Sequence, residues 1–166
     1  SSGGSSIFLN HGKATKFGHL NIRSGITVIA VNEDHEILLT EEFHYAVGRV
    51  TLEAVSGGSE DGEEPIATAK RELIEEAGMK AKTWISLGVV DSFTSIVNSP
   101  AHLFLATDLE YVGSAREATE ASLRVVEMPL QEAVQKVIES EITHAPSCVA
   151  ILKAALYLGK LPAHGS

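Results

Sequence analysis

The chain has 166 residues, enough for a single domain that buries about 70% of its unfolded surface, and a second domain is not required. Hydrophobic residues make up 44% and charged residues 21%, a globular composition that excludes disorder as the overall state. The net charge of −9 argues against nucleic-acid backbones and anionic membranes as partners, because both require clustered Lys and Arg.

Residues 1–6 are Ser and Gly only and are expected to be a flexible linker or a vector-derived remnant, which leaves residues 7–166 as the single domain. Residues 7–24 alternate weakly around Phe17, Leu20 and Ile22 and predict an N-terminal arm or edge strand. Ile26 to Val31 is rich in β-branched residues and is followed by Asn32-Glu33-Asp34-His35. Glu36 to Thr40 then resumes the apolar run, so the pair reads as a hairpin. Arg49 to Val55 is a further strand that leads directly into Gly57 and Gly58.

Gly57 to Met79 reads as loop, helix and loop. Pro65 suits a first helical turn, where its missing N–H costs nothing, and Gly78 suits the far end. On a helical wheel Ile66, Ala69, Leu73 and Ala77 form an apolar stripe, while Glu72, Glu75 and Glu76 crowd a neighbouring face. Carboxylates three and four residues apart lie about 5–6 Å from one another at Cβ and repel. A hard cation offsets that repulsion, and oxygen ligands suit Mg²⁺, with Mn²⁺ as the alternative. On composition alone, a solvated acidic face explains the same glutamates.

Beyond Gly78, Trp84 to Val90 and Ala101 to Ala106 read as strands joined by a polar connector, Asp91 to Pro100. Asp108 to Ala121 reads as a long loop carrying Glu110, Glu117 and Glu120, followed by a short strand at Leu123 to Glu127. Pro129 opens a helix with Leu130, Ala133, Val134, Val137 and Ile138 at core spacing, and Pro146 opens a last one. This order gives an α+β layered fold. No apolar run reaches the ~18–20 residues of a membrane span. The lone Cys148 forms no internal disulfide and fits a reducing, cytoplasmic setting; its apolar surroundings suit buried filler.

The order of residues at 57–79 carries more than their composition. Gly57, Glu63, Arg71-Glu72-Leu73, Glu75-Glu76 and Gly78-Met79 occupy every specified position of the Nudix box. The chain resembles the Nudix hydrolase family, which implies an α/β/α sandwich around a mixed β-sheet and Mg²⁺-dependent hydrolysis of a nucleoside diphosphate linked to another group, X. The resemblance makes Glu72 and Glu76 metal ligands with Glu75 alongside, and adds the backbone carbonyl of Ser56. It makes Gly57, Glu63, Arg71 and Gly78 the structural brace of the box.

Glu42-Phe43-His44-Tyr45, Gly48 to Gly57, and the tail from Glu127 through Glu141-Ile142-Thr143-His144-Ala145-Pro146-Ser147 are similar to the ADP-ribose pyrophosphatase branch. In that branch the position of Glu53 can add a metal ligand; a strand-end carboxylate facing water is the other reading. The resemblance points to His44 and Arg49 for substrate binding. His44 stands where the branch commonly has Arg, and a partly buried structural His is the other reading. A glutamate of the loop before the last strand can act as general base there, which makes Glu120 the catalytic candidate and Glu117 its neighbour; both also read as solvated carboxylates. A homodimer is implied as well. The expected substrate is ADP-ribose or a related ADP-sugar. The alternatives are a dinucleoside polyphosphate, another nucleotide sugar or an oxidised nucleotide, or a non-catalytic module that senses nucleotides.

Overall fold

The structure, a computed structural model, describes residues 2–10, 13–113 and 123–161. In chain order the strands are β1 (Ser2–Asn10), β2 (Lys13–Asn21), β3 (Gly25–Ala30), β4 (Glu36–His44) and β5 (Arg49–Gly58). Helix α1 (Pro65–Ala77) follows, then β6 (Met79–Asp91), β7 (Val97–Asn98), β8 (Pro100–Tyr111) and β9 (Arg124–Pro129), and finally α2 (Leu130–Ile138) and α3 (Ala145–Tyr157).

Six strands form one mixed sheet in the order β6-β8-β3-β5-β4-β9, in which β3 and β8 are parallel and the other neighbours antiparallel. Side chains alternate across a strand, and the core divides by that parity. Ile29, Val31, Ile37, Leu39, Leu103 and Leu105 face α2 and α3, meeting Leu130, Ala133, Val134, Ile151 and Ala154. Their sequence neighbours Val28, Ala30, Leu38, Phe104 and Ala106 face the other way, against Ala69, Leu73 and Ala77 of α1. Helices cover both faces, so the central strands read as unbroken apolar runs rather than alternating ones. The layers are those of an α/β/α sandwich.

The expected hairpin of β3 and β4 does not form. The two strands touch only at the isolated bridge Val31–Ile37, and β5 lies between them, its first half paired with β4 and its second half with β3. The Asn32 to His35 turn is real: the Asn32 side chain accepts from the N–H groups of Asp34 and Glu36, and His35 takes a φ of 61°. It splays the strands and does not align them. Alternation marks a strand but does not name its neighbour.

The N-terminal segment also differs from expectation. Residues 2–6, read as a linker, belong to β1, which pairs with β2 from Ser2–Asn21 to Asn10–Lys13. The connector after β6 contributes β7, which runs parallel to β2, and the three form a small separate sheet. Several strands are longer than predicted, β6 and β8 most: β4 runs on to His44 and β5 to Gly58, β6 starts at Met79, and β8 runs on to Tyr111, through part of the expected loop. Among the described residues, no helix is long and apolar enough to cross a membrane.

Candidate active site

The end of β5, the loop after it and α1 form one braced unit. Pro65 stands in the first turn of α1, and Gly78 closes the helix with a left-handed φ of 65°, its N–H bonded to the Ile74 carbonyl at 2.9 Å. A side chain there is strained, which explains the glycine. The intervening loop is held by the Ser59 N–H on the Ser24 carbonyl at 2.9 Å and by the buried Thr68 hydroxyl on Ser59 Oγ at 2.9 Å.

Arg71 is the hub of this unit. Its Nε and Nη2 donate to the two oxygens of Glu63 at 3.2 and 3.1 Å, a bidentate pair. Nη1 donates to Glu72 at 2.7 Å and to Glu75 at 3.2 Å, and Nη2 also reaches the Gly58 carbonyl at 3.3 Å. The guanidinium beside Glu63, helped by the Glu60 N–H, pulls that carboxyl down to about 2. Glu63 in turn drives the Arg71 pKa upward.

Gly57 sits against Glu72. A Cβ placed there would collide with the carboxylate and lie 2.6 Å from Cγ, so the bare glycine forms the cradle in which Glu72, only 6% exposed, rests. Glu76 is half-buried one turn further along α1, and Glu75 lies beside it.

An open cleft of about 340 Å³ begins at Gly57 and Ser56 and runs past Glu53 to His44 and His144, with Ser92 and Ser99 on another wall. The two serines come from the polar connector after β6. Glu53 is engaged on both oxygens. Oε1 accepts from the Thr51 hydroxyl at 2.8 Å and lies 3.4 Å from His44 Nε2, while Oε2 lies 3.4 Å from His144 Nδ1. Ser56 Oγ donates to the Ala54 carbonyl at 2.8 Å and meets Thr27 Oγ1 at 3.1 Å.

The expected site residues therefore fall into groups. Gly57, Glu63, Arg71, Glu72 and Glu75 are joined by direct contacts, and Ser56, Glu53 and His44 share the cleft. Arg49 lies outside that lining and donates to Thr143 Oγ1 at 2.8 Å. Glu117 and Glu120 lie outside the described residues. His144 lines the cleft and was not singled out from sequence; its signal was the polar pair Thr143-His144 just ahead of a Pro-started helix. Burial drives the His144 pKa downward, against the pull of Glu53. Burial also raises the Cys148 thiol pKa, and the thiol donates to the Ile142 carbonyl at 3.2 Å, as suits a packing residue.

Among the described residues, no three His, Cys, Asp or Glu side chains converge as a complete metal cage. The donor set still fits a hard divalent cation. Such an ion takes one or two protein carboxylates and fills its remaining positions with water and substrate phosphate. Glu72 is offered by a cradle that any side chain at position 57 would fill, and the Arg71 guanidinium already bridges Glu72 and Glu75 with positive charge.

The NUDIX domain family model matches residues 21–146. An ADP-ribose pyrophosphatase of Bacillus subtilis (strain 168) is 32% identical over 159 residues, spanning 93% of this chain and 86% of that protein. An ADP-ribose pyrophosphatase of Mycobacterium tuberculosis (strain ATCC 25618 / H37Rv) is 29% identical over 76% of this chain and 62% of that protein. The crystal structure of an ADP compounds hydrolase superposes with a TM-score of 0.77 at 22% identity, covering 95% of this chain and 85% of that one. It shares the fold.

Proposed function

Because the chain belongs to the Nudix family, and is a pyrophosphohydrolase of it, we propose that it hydrolyses the pyrophosphate bond of ADP-ribose or a related ADP-sugar, giving a mononucleotide and phosphorylated X. What carries this reading is the similarity to the Bacillus subtilis enzyme, which runs over 93% of this chain and takes in the tail that brings His144 to the cleft as well as the box.

In this proposal Glu72 and Glu76, with Glu75 alongside and the Ser56 carbonyl near Gly57, hold a divalent cation, Mg²⁺ in preference to Mn²⁺. When bound, that ion polarises phosphoryl oxygens and lowers the pKa of a water. The chain's own residues do the rest. Arg71 and Glu63 hold the loop to the helix so that Glu72 stays in its cradle, since site groups need placement to about 0.5 Å. Glu53 fixes the cleft wall by engaging Thr51 and standing between the two imidazoles, and His44 is a substrate contact. Glu120 is the candidate general base. The reading includes a cytoplasmic setting and a homodimer, for which the exposed Leu20, Ile22, Phe93 and Ile96 offer apolar surface.

The test is a hydrolysis screen of nucleoside diphosphate derivatives with Mg²⁺ and with Mn²⁺, with products identified. AMP and ribose 5-phosphate from ADP-ribose, at a higher kcat/KM than from dinucleoside polyphosphates or oxidised nucleoside triphosphates, is the expected result. A higher kcat/KM for one of those rivals overturns the substrate assignment and leaves the family intact.

A further inference from the structure

Ser147 is fully buried in the first turn of α3, and its hydroxyl oxygen accepts the Ala54 N–H at 2.9 Å. A serine hydroxyl also has one proton to give, and burying that proton without an acceptor leaves a donor unpaired. Among the described residues, the acceptor within hydrogen-bond distance of Ser147 Oγ is Nδ1 of His144, at 2.8 Å. Nδ1 therefore accepts. In a neutral imidazole the proton then sits on Nε2, because the bond made by one ring nitrogen decides the state of the other.

Side-chain hydroxyls on either side of His144 are bonded to β5. Arg49 holds Thr143 at 2.8 Å on one side, and Ala54 holds Ser147 at 2.9 Å on the other. The imidazole is thus fixed beside Glu53, with 31% of its side chain still exposed where it lines the cleft. A pre-oriented N–H donor on the cleft wall can exchange water for a ligand acceptor. Of the acceptors a nucleoside diphosphate carries, phosphate oxygens form the strongest bonds, about twice as strong as neutral ones.

We infer that His144 is a substrate-binding residue that donates its Nε2–H to a non-bridging phosphate oxygen of the nucleoside diphosphate, and that Ser147 is the positioning residue that sets its tautomer. The inference rests on the pyrophosphohydrolase reading above, and it assigns the phosphate contact to the tail of the chain, outside the box.

Two amide substitutions separate the ring nitrogens. In His144→Gln the side-chain NH₂ reaches close to the place of Nε2, whereas in His144→Asn it stops near Nδ1, where it can meet Ser147 but not the ligand. Calorimetric titration with the non-hydrolysable α,β-methylene analogue of ADP-ribose, and with adenosine as a phosphate-free control, reads the contact without turnover. His144→Asn should weaken the analogue by about 10–100-fold, as expected for loss of a hydrogen bond to a charged group. Adenosine binding should not change, and His144→Gln should stay within a few-fold of wild type. KM for ADP-ribose should follow the same order. If His144→Asn melts below the assay temperature, His144→Phe, which keeps the ring and lacks both nitrogens, replaces it with the same expected loss. An Asn or Phe variant that binds the analogue as wild type does overturns the inference, as does an equal loss for adenosine. Wild-type protein that binds the analogue but does not hydrolyse ADP-ribose defeats the reading of function, and the ratio between variants still decides the role of His144.

Discussion

Glu76 and Arg71 sit on the same helix, yet their loss should read differently. Glu76→Gln keeps side-chain size and removes a charge, and we expect kcat to fall by at least about 10²-fold with the fold intact; near-normal turnover at saturating Mg²⁺ would remove Glu76 from the site. Arg71→Ala removes the group that bonds Glu63, Glu72 and Glu75 at once. The side chains of the pair with Glu63 are 29% and 18% exposed, so breaking it should cost more than breaking a freely solvated pair and less than breaking a fully buried one. Activity and Tm should drop together; an unchanged Tm with lost activity would point instead to a direct phosphate contact. Glu63 gives the unit a pH signature. Its folded pKa, about 2, lies below the ordinary 4.5, so its contribution is complete above about 4.5 and is lost as pH falls towards 2. Wild-type Tm should therefore decline across that window more steeply than the Tm of Glu63→Gln, and parallel curves would show that the pair contributes nothing to acid stability.

The left-handed Gly78 separates α1 from β6, and glycine takes its φ of 65° at less cost than a residue with a Cβ. Gly78→Ala should cost about 1 kcal/mol, measured by urea denaturation, and a neutral result would mean the helix end relaxes without strain. Here the sequence was sufficient: Pro65 and Gly78 mark the two ends of α1, and the stripe Ala69, Leu73 and Ala77 marks its buried face. What local pattern could not reveal was pairing. The turn at Asn32 is legible, but the insertion of β5 between β3 and β4 depends on the whole sheet, because a strand with apolar residues on both faces fits beside several partners equally well. Ser2 to Ser6 carry no apolar pattern, and their place in β1 comes from backbone pairing with β2, which composition does not show. The site divides along the same line. The box was readable because its residues are close in sequence, whereas Glu53 and His144 meet at 3.4 Å across 91 positions, a proximity only the fold creates.

The small sheet raises the question of what covers its surroundings. β1 and β2 form a long hairpin, and their link to the rest includes the two-residue strand β7; such a hairpin alone is marginal in water. Leu20 and Ile22 flank its end at 50% and 48% exposure, and Phe93 and Ile96 in the connector stand at 67% and 55%. Apolar side chains gathered in this way mark a surface that gains by association, at about 25 cal/mol per Å² buried. Charge works against a self-contact, because each copy carries −9. The two terms answer differently to salt. Screening shortens the reach of the repulsion to about 8 Å at physiological ionic strength and less above it, while apolar burial is not weakened. If the homodimer forms here, its fraction in light scattering should rise as NaCl is raised from low to physiological levels and above. Phe93→Ser combined with Ile96→Ser should return the protein to monomer with Tm nearly unchanged, since neither side chain belongs to the buried core. A protein that stays monomeric at every salt concentration would refute the dimer, and a dimer that weakens with salt would place its contact at an ion-paired surface elsewhere on the molecule.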